Sequence, residues 1–293
     1  MSRSLVLLIC LAGLLTTSAS QAAITLTQAD GENLHLEHQA RRIVTLSPNL
    51  AELVFAAGAG ERLVATVEYS NFPEQVASLP RVGDAFRLDI EGIVALRPDL
   101  AFAWDSGNPR PAVAQLRSLG ITVWSVEIRE PGQIATTLEA IGRAAGTRDT
   151  ANEAALDFRT RLEALSREYR DASPLTYFYQ ADARPLFTLN GDHLVSRGLA
   201  LCGAENLFAD EAALAFQVSH EAVVVADPDA LIAPMLPGGA DPLAQWRTWP
   251  AMKAVESGSL FTLDADRISR ATPRWLESIE TGCRLLQQLR QQD

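Results

Sequence analysis

Residues 89–103 and 219–233 repeat one pattern in the same order. Each begins with a short polar residue, Asp89 or Ser219, of the kind that caps a helix. Two places on stands a glutamate, Glu91 or Glu221. An apolar helical segment follows, then Pro98-Asp99 or Pro228-Asp229 as a turn, then an apolar strand opening at Leu100 or Ala230. A weaker echo accompanies the first. Val44-Thr45-Leu46 leads into a helix and then Gly58-Ala59, and Phe187-Thr188-Leu189 leads into a helix and then Gly203-Ala204. Two echoes in one order imply a duplicated α/β unit, hence two lobes with a cleft between them.

The rest of the chain fits that constraint. An edge hairpin is expected over 24–38, with Asp30-Gly31 at its turn. Strands follow at 41–46, 63–67, 100–104 and 121–126, with helices from Ser47, over 89–96, 111–119 and 133–145. Strands that alternate with helices form mainly parallel sheets covered on both faces. Over 150–169, Ala154, Phe158, Leu162, Leu165 and Tyr169 form one apolar stripe, opposite Arg159, Glu163, Arg167 and Arg170. A helix of that length reaches about 30 Å, enough to join two lobes stiffly. Strands at 175–179 and 186–189 resume the alternation, and a last helix spans 273–289. The expected architecture is α/β: two lobes with mainly parallel sheets flanked by helices, joined by one long α-helix. Its divisions fall at 23–147, 148–171 and 172–293.

The chain has 293 residues and a hydrophobic content of 47%, as globular cores require. Its net charge of −11 argues against nucleic acid and anionic membranes as partners. Residues 1–22 read as a secretory leader: Arg3, a short apolar run, then Ser20-Gln21-Ala22 as a cleavage site. Cys10 lies inside that run and reads as an ordinary leader residue. Export leaves Cys202 and Cys283, which suit one disulfide, with a metal site or catalytic thiol as the alternative. The bond would close a separation of 81 residues.

Several phrases together resemble a family. They are Ile43-Val44-Thr45-Leu46-Ser47-Pro48, Phe55-Ala56-Ala57-Gly58, Tyr69-Ser70, Ala103-Trp104, Cys202-Gly203-Ala204-Glu205-Asn206, Gln217-Val218-Ser219 and Arg270-Ala271-Thr272-Pro273-Arg274. They are similar to the substrate-binding proteins of ABC transporters whose lobes are joined by a long helix, most of all to the cobalamin receptors among them. The resemblance implies a periplasmic protein, a monomer, that binds cobalamin or a related corrinoid as transported ligand, with no cofactor of its own and no catalysis. It also implies the disulfide Cys202–Cys283. Haem and iron-siderophore receptors share much of the signature and form the main alternative. A metal-ion receptor or an enzyme fits less well, since His35, His38, His193 and His220 show no metal spacing and no nucleophile stands beside a base.

On the resemblance, ligand contacts fall to Ser47, Pro48, Asn49, Tyr69, Trp104, Phe187, Asp266 and Arg270. Core packing would suit the aromatics equally well on sequence alone, and the spacing of Asp266 and Arg270 also suits a simple ion pair. In two places the chain departs from the cobalamin receptors. Ala85 and Ala215 stand where aromatics are expected, and the neighbouring Phe86 and Phe216 are the candidates to fill that space. Trp246 and Trp249 read as core. Glu91 and Glu221 suit the positive end of a helix dipole. The resemblance further implies that they dock on the two permease subunits of a cobalamin importer.

Overall fold

The computed structural model describes residues 23–292. The expected leader and Cys10 lie outside the described residues. In chain order the elements are β1 Ile24–Thr27, β2 Asn33–Leu36, β3 Ile43–Thr45, α1 Pro48–Ala56, β4 Leu63–Ala65, α2 Ile90–Ala95, β5 Leu100–Trp104, α3 Arg110–Ser118, β6 Val123–Val126, α4 Pro131–Ala145 and α5 Arg148–Glu168. Then come β7 Leu175–Tyr179, β8 Asp182–Ala183, β9 Leu186–Leu189, α6 Leu194–Ala200, β10 Ala204–Asn206, β11 Ala215–Gln217, α7 His220–Ala226, β12 Ala230–Met235, α8 Lys253–Glu256, β13 Leu260–Asp264, α9 Ala265–Ile268 and α10 Pro273–Arg290.

Two parallel four-stranded sheets have matching order, β4-β3-β5-β6 in the first lobe and β10-β7-β12-β13 in the second. Each runs second, first, third, fourth, so the duplication in the sequence is a duplication of topology. The repeated phrase forms α2 into β5 and α7 into β12. Asp89 accepts from the Gly92 N–H at 2.9 Å, and Ser219 accepts from the Ala222 N–H at 3.1 Å. Both helices end in a residue of positive φ, Arg97 and Asp227, each at 48°. The Pro-Asp turn has the same task twice. The Asp99 carboxylate accepts from the N–H groups of Arg41 and Arg42, and that of Asp229 from the N–H and hydroxyl of Thr176. Each aspartate thus pins the start of the neighbouring strand, β3 or β7, by satisfying backbone groups beyond the ladder.

The weaker echo needs a correction. β9 does not correspond to β3. It lies in a separate three-stranded antiparallel sheet, β11-β9-β8, and β7 is the strand that matches β3. The second lobe has inserted a small hairpin between its first strand and its first helix.

The 21-residue α5 links the lobes, packed on α4. Ala151, Ala155, Phe158 and Leu165 are buried on it, while Leu156 is exposed. A single apolar cluster runs from Leu53 and Phe102 of the first lobe, through Ile141 and Phe158, to Tyr177, Trp275 and Leu286 of the second. The lobes therefore share a core, and Arg161 of α5 adds a forked ion pair to Glu280 of α10 at 3.0 Å. Cys202 and Cys283 are disulfide-bonded and fully buried, tying the end of α6 to α10. Trp246 is buried, and its indole N–H donates to Gln180 at 2.7 Å.

Candidate functional site

In a parallel sheet with crossover helices, ligand loops gather at the carboxyl ends of the strands. Both lobes turn those ends towards the gap between them. A cavity of about 290 Å³ lies there. The first lobe supplies Ser47, Pro48, Asn49 and Trp104, with Glu127, Ile128 and Arg129; the second supplies Asp192, His193, Leu194, Leu214 and the run 268–271.

The first wall is built by β3 and β5. Pro48 and Asn49 open α1, where the first backbone N–H groups have no partner in the helix. The Ser47 hydroxyl is turned onto the Asn49 side chain. Trp104 ends β5 and is half-buried. Its indole lies over Gly107, where a Cβ would overlap the ring, so the ring's position depends on that glycine. Asn108, buried, ties the wall together. Its amide donates to the carbonyls of Leu46 and Ala85, both at 2.8 Å, and its oxygen accepts from the Trp104 N–H at 2.7 Å. One side chain thus fixes the ends of two strands and the loop that carries Phe86.

Tyr69 and Phe86 project from two loops that run side by side, bonded from Glu68 to Gly83. They are 79% and 68% exposed, the state of rings with no packing partner in the fold. Phe72 is also exposed, and the Arg274 guanidinium sits 3.9 Å from its ring centre.

Asp266 and Arg270 do form the ion pair that their spacing suggests, at 2.7 Å. They also belong to a larger clasp. Glu52 of α1, 3% exposed, accepts from Arg270 at 2.8 Å, Thr272 at 3.1 Å and Arg274 at 3.2 Å. Arg270 donates further to the Asn71 side chain and to the Tyr69 carbonyl, and Asn71 donates to Asp266. This network crosses between the lobes and holds the loop of Tyr69 from behind. A second bridge crosses elsewhere, from Arg197 of α6 to Glu130 at the start of α4, at 3.0 Å.

Tyr69, Phe86, Asp266, Phe187 and Phe216 are not part of the cavity lining. In the register of β9 with β11, Phe216 faces Thr188 and Phe187 faces Gln217, so the two rings point to opposite faces of the small sheet. Phe216 packs edge-on against Phe208 at 6.1 Å, which continues to Phe178 and Trp246. Glu52, Asn108 and His193 were not singled out by sequence reasoning. Glu52 and Asn108 act through partners remote in sequence, and His193 is a lone histidine without spacing.

Glu91 and Glu221 are exposed in the first turns of α2 and α7. Helices that precede strands of a parallel sheet start at the strands' carboxyl ends, so both carboxylates lie on the cleft side, one per lobe. Its own backbone N–H and the Ser219 hydroxyl hold the Glu221 carboxyl below the usual carboxylate range.

A periplasmic binding protein family model matches residues 43–267, which include both four-stranded sheets and the cavity lining except the run 268–271. The chain belongs to this family. It is 38% identical over 250 residues to the vitamin B12-binding protein of Vibrio cholerae, covering 84% of this chain and 89% of that one. The crystal structure of the periplasmic vitamin B12 binding protein BtuF of Vibrio cholerae superposes with a TM-score of 0.80 at 37% identity, covering 86% of this chain and 98% of that one. The periplasmic heme binding protein HutB of Vibrio cholerae gives a TM-score of 0.72 at 24% identity over 84% of this chain and 98% of that one, a likeness of fold alone. Among the described residues, no helix is long and apolar enough to cross a membrane.

Proposed function

We propose that this member of the family is an exported receptor that captures cobalamin, or a related corrinoid, between its lobes and delivers it to an ABC importer. The observation that carries the ligand class is the composition of the cleft. It pairs an indole, Trp104, with polar groups at Ser47, Asn49, Glu127 and His193, and the exposed rings Tyr69 and Phe86 stand on loops bonded to Arg270 and Asn108 beside it. A flat ring bearing amide arms asks for both kinds of surface. Identity to the vitamin B12-binding protein of Vibrio cholerae over most of the chain supports the same reading. The cavity is smaller than a whole corrinoid. Part of the ligand would therefore lie outside the cavity, where Tyr69 and Phe86 are exposed.

Docking follows from the duplicated glutamates. One carboxylate on each lobe matches a two-fold symmetric pair of permease subunits presenting basic groups. The protein itself breaks no bond. The linking helix, shared core and two interlobe bridges restrict closure to a small movement.

The test is direct. Purified mature protein mixed with cyanocobalamin should co-elute with its red colour on gel filtration, and Trp104→Ala should weaken the complex. Exchanging both docking glutamates, Glu91→Lys with Glu221→Lys, should leave affinity intact and abolish uptake in cells. Colourless protein fractions would overturn the ligand assignment, and unchanged uptake would overturn the docking assignment.

A further inference from the structure

We propose that His193 is a ligand-binding residue of this cleft, which donates its Nε2–H to an acceptor oxygen of the bound corrinoid and does not ligate metal. The proposal deepens the corrinoid reading and rests on it.

His193 lines the cavity from the second lobe, beside Asp192 and Leu194, with Trp104 and Arg129 supplied by the first. Its Nδ1 accepts from the Val195 N–H at 3.2 Å, as the cap of α6. A ring nitrogen that accepts carries no proton, so in the neutral imidazole the proton sits on Nε2. Nε2 has no protein partner among the described residues and is not sealed from solvent. Burial, and then the charge of Arg129, push the pKa of His193 down to about 4, so the ring is a neutral donor at ordinary pH. The charges nearby are otherwise engaged. Asp192 is paired with Arg197 at 2.8 Å, and Arg129 lies 3.7 Å from Glu127.

The same cap opposes metal ligation. To bind iron or cobalt through Nε2, the neutral ring would have to move its proton to Nδ1. Nδ1 already faces the Val195 N–H, and two donors would then meet head to head. The pinned tautomer therefore suits an oxygen acceptor. A corrinoid offers two sources, the carboxamide carbonyls of its ring arms and the phosphodiester of its nucleotide loop.

The experiment is titration calorimetry of the full mature protein and two variants with cyanocobalamin and with dicyanocobinamide, which lacks the nucleotide loop. His193→Ser keeps a good cap, and its hydroxyl is too short to donate where Nε2 does. His193→Gln keeps a donor of similar reach and caps poorly. We expect His193→Ser to bind cyanocobalamin about tenfold more weakly than the parent and His193→Gln to recover most of that loss. A role in capping alone predicts the opposite order and would overturn the proposal, as would parental affinity in both variants. Equal weakening for dicyanocobinamide assigns the oxygen to a ring amide; weakening confined to cyanocobalamin assigns it to the phosphodiester. A low-spin haemin spectrum in the parent that vanishes in His193→Ser would show metal ligation and overturn the assignment. Parent protein that binds neither corrinoid would instead overturn the corrinoid reading on which the proposal stands.

Discussion

Beside the cavity the first lobe leaves two rings in solvent, Tyr69 and Phe86, whereas the second lines it with His193 and turns charged side chains, Asp266, Arg270 and Arg274, back onto the first. Behind these loops the sheets have the same strand order, and α2 and α7 have the same cap, the same left-handed exit and the same aspartate clamp. What was duplicated is the scaffold and the pair of carboxylates it presents. What diverged is the set of loops around the cavity and the contact between the lobes. On the proposed function, the symmetric part would serve a symmetric partner and the asymmetric part an asymmetric ligand.

The sharpest way to break this contrast is at Glu52, where a carboxylate of the first lobe gathers two arginines of the second. Glu52→Ala should cost about 3 kcal/mol, because the largely buried Arg274 loses its carboxylate while Arg270 keeps only Asp266. Denaturant unfolding should show that loss, and Glu52→Gln should recover part of it. A loss under about 1 kcal/mol would mean that the clasp does not hold the lobes.

The disulfide is the next asymmetry, since only the second lobe has one among the described residues. Cys202→Ser with Cys283→Ser should cost about 2–5 kcal/mol. Hydrogen exchange should localise the loosening to β7, β10 and α10. Equal loosening in β3 and β5 would deny that the lobes differ in this respect.

A matched pair tests the symmetric part. Asp99→Ala and Asp229→Ala each strip two hydrogen bonds from a strand start and should each cost about 1–3 kcal/mol, with values close to one another. Unequal costs would mean that the repeated turn has kept its sequence but not its task.

The last effect is a pH dependence in the second lobe, absent near neutral pH. The pKa of His193 falls on folding from 6.5 to about 4. Below about pH 6.5 the unfolded chain takes a proton that the native ring refuses, so stability declines as pH drops from about 6.5 to about 4 and then levels off. Stability measured across that window should fall less steeply in His193→Gln than in the parent. Identical slopes would contradict the burial of the ring.

The scaffold was legible because its signals are local. Caps, Pro-Asp turns and period-3.6 stripes placed α2 to within a residue at each end and the linking helix to within two, and the cap Ser219 marked the start of α7. The disulfide followed from the cysteine count, compartment and family resemblance. The clasp was not legible, because Glu52 meets Arg270 across 218 residues of sequence and nothing beside it marks it as buried. Residues 186–189 read correctly as a strand, but an apolar run does not say which strand it will pair with, and β9 joined β11 and β8 instead of the main sheet. Trp104, Ser47, Pro48, Asn49 and Arg270 came to the cavity, while Phe216 met an aromatic row within its own lobe.

The most direct measurement is side-by-side titration calorimetry of the mature protein with cyanocobalamin, haemin and a ferric siderophore. Saturable one-to-one binding of cyanocobalamin, with the other two far weaker, is the result expected of a cleft that pairs Trp104 and exposed rings with neutral donors. Tight binding of haemin or the siderophore without cyanocobalamin would contradict it.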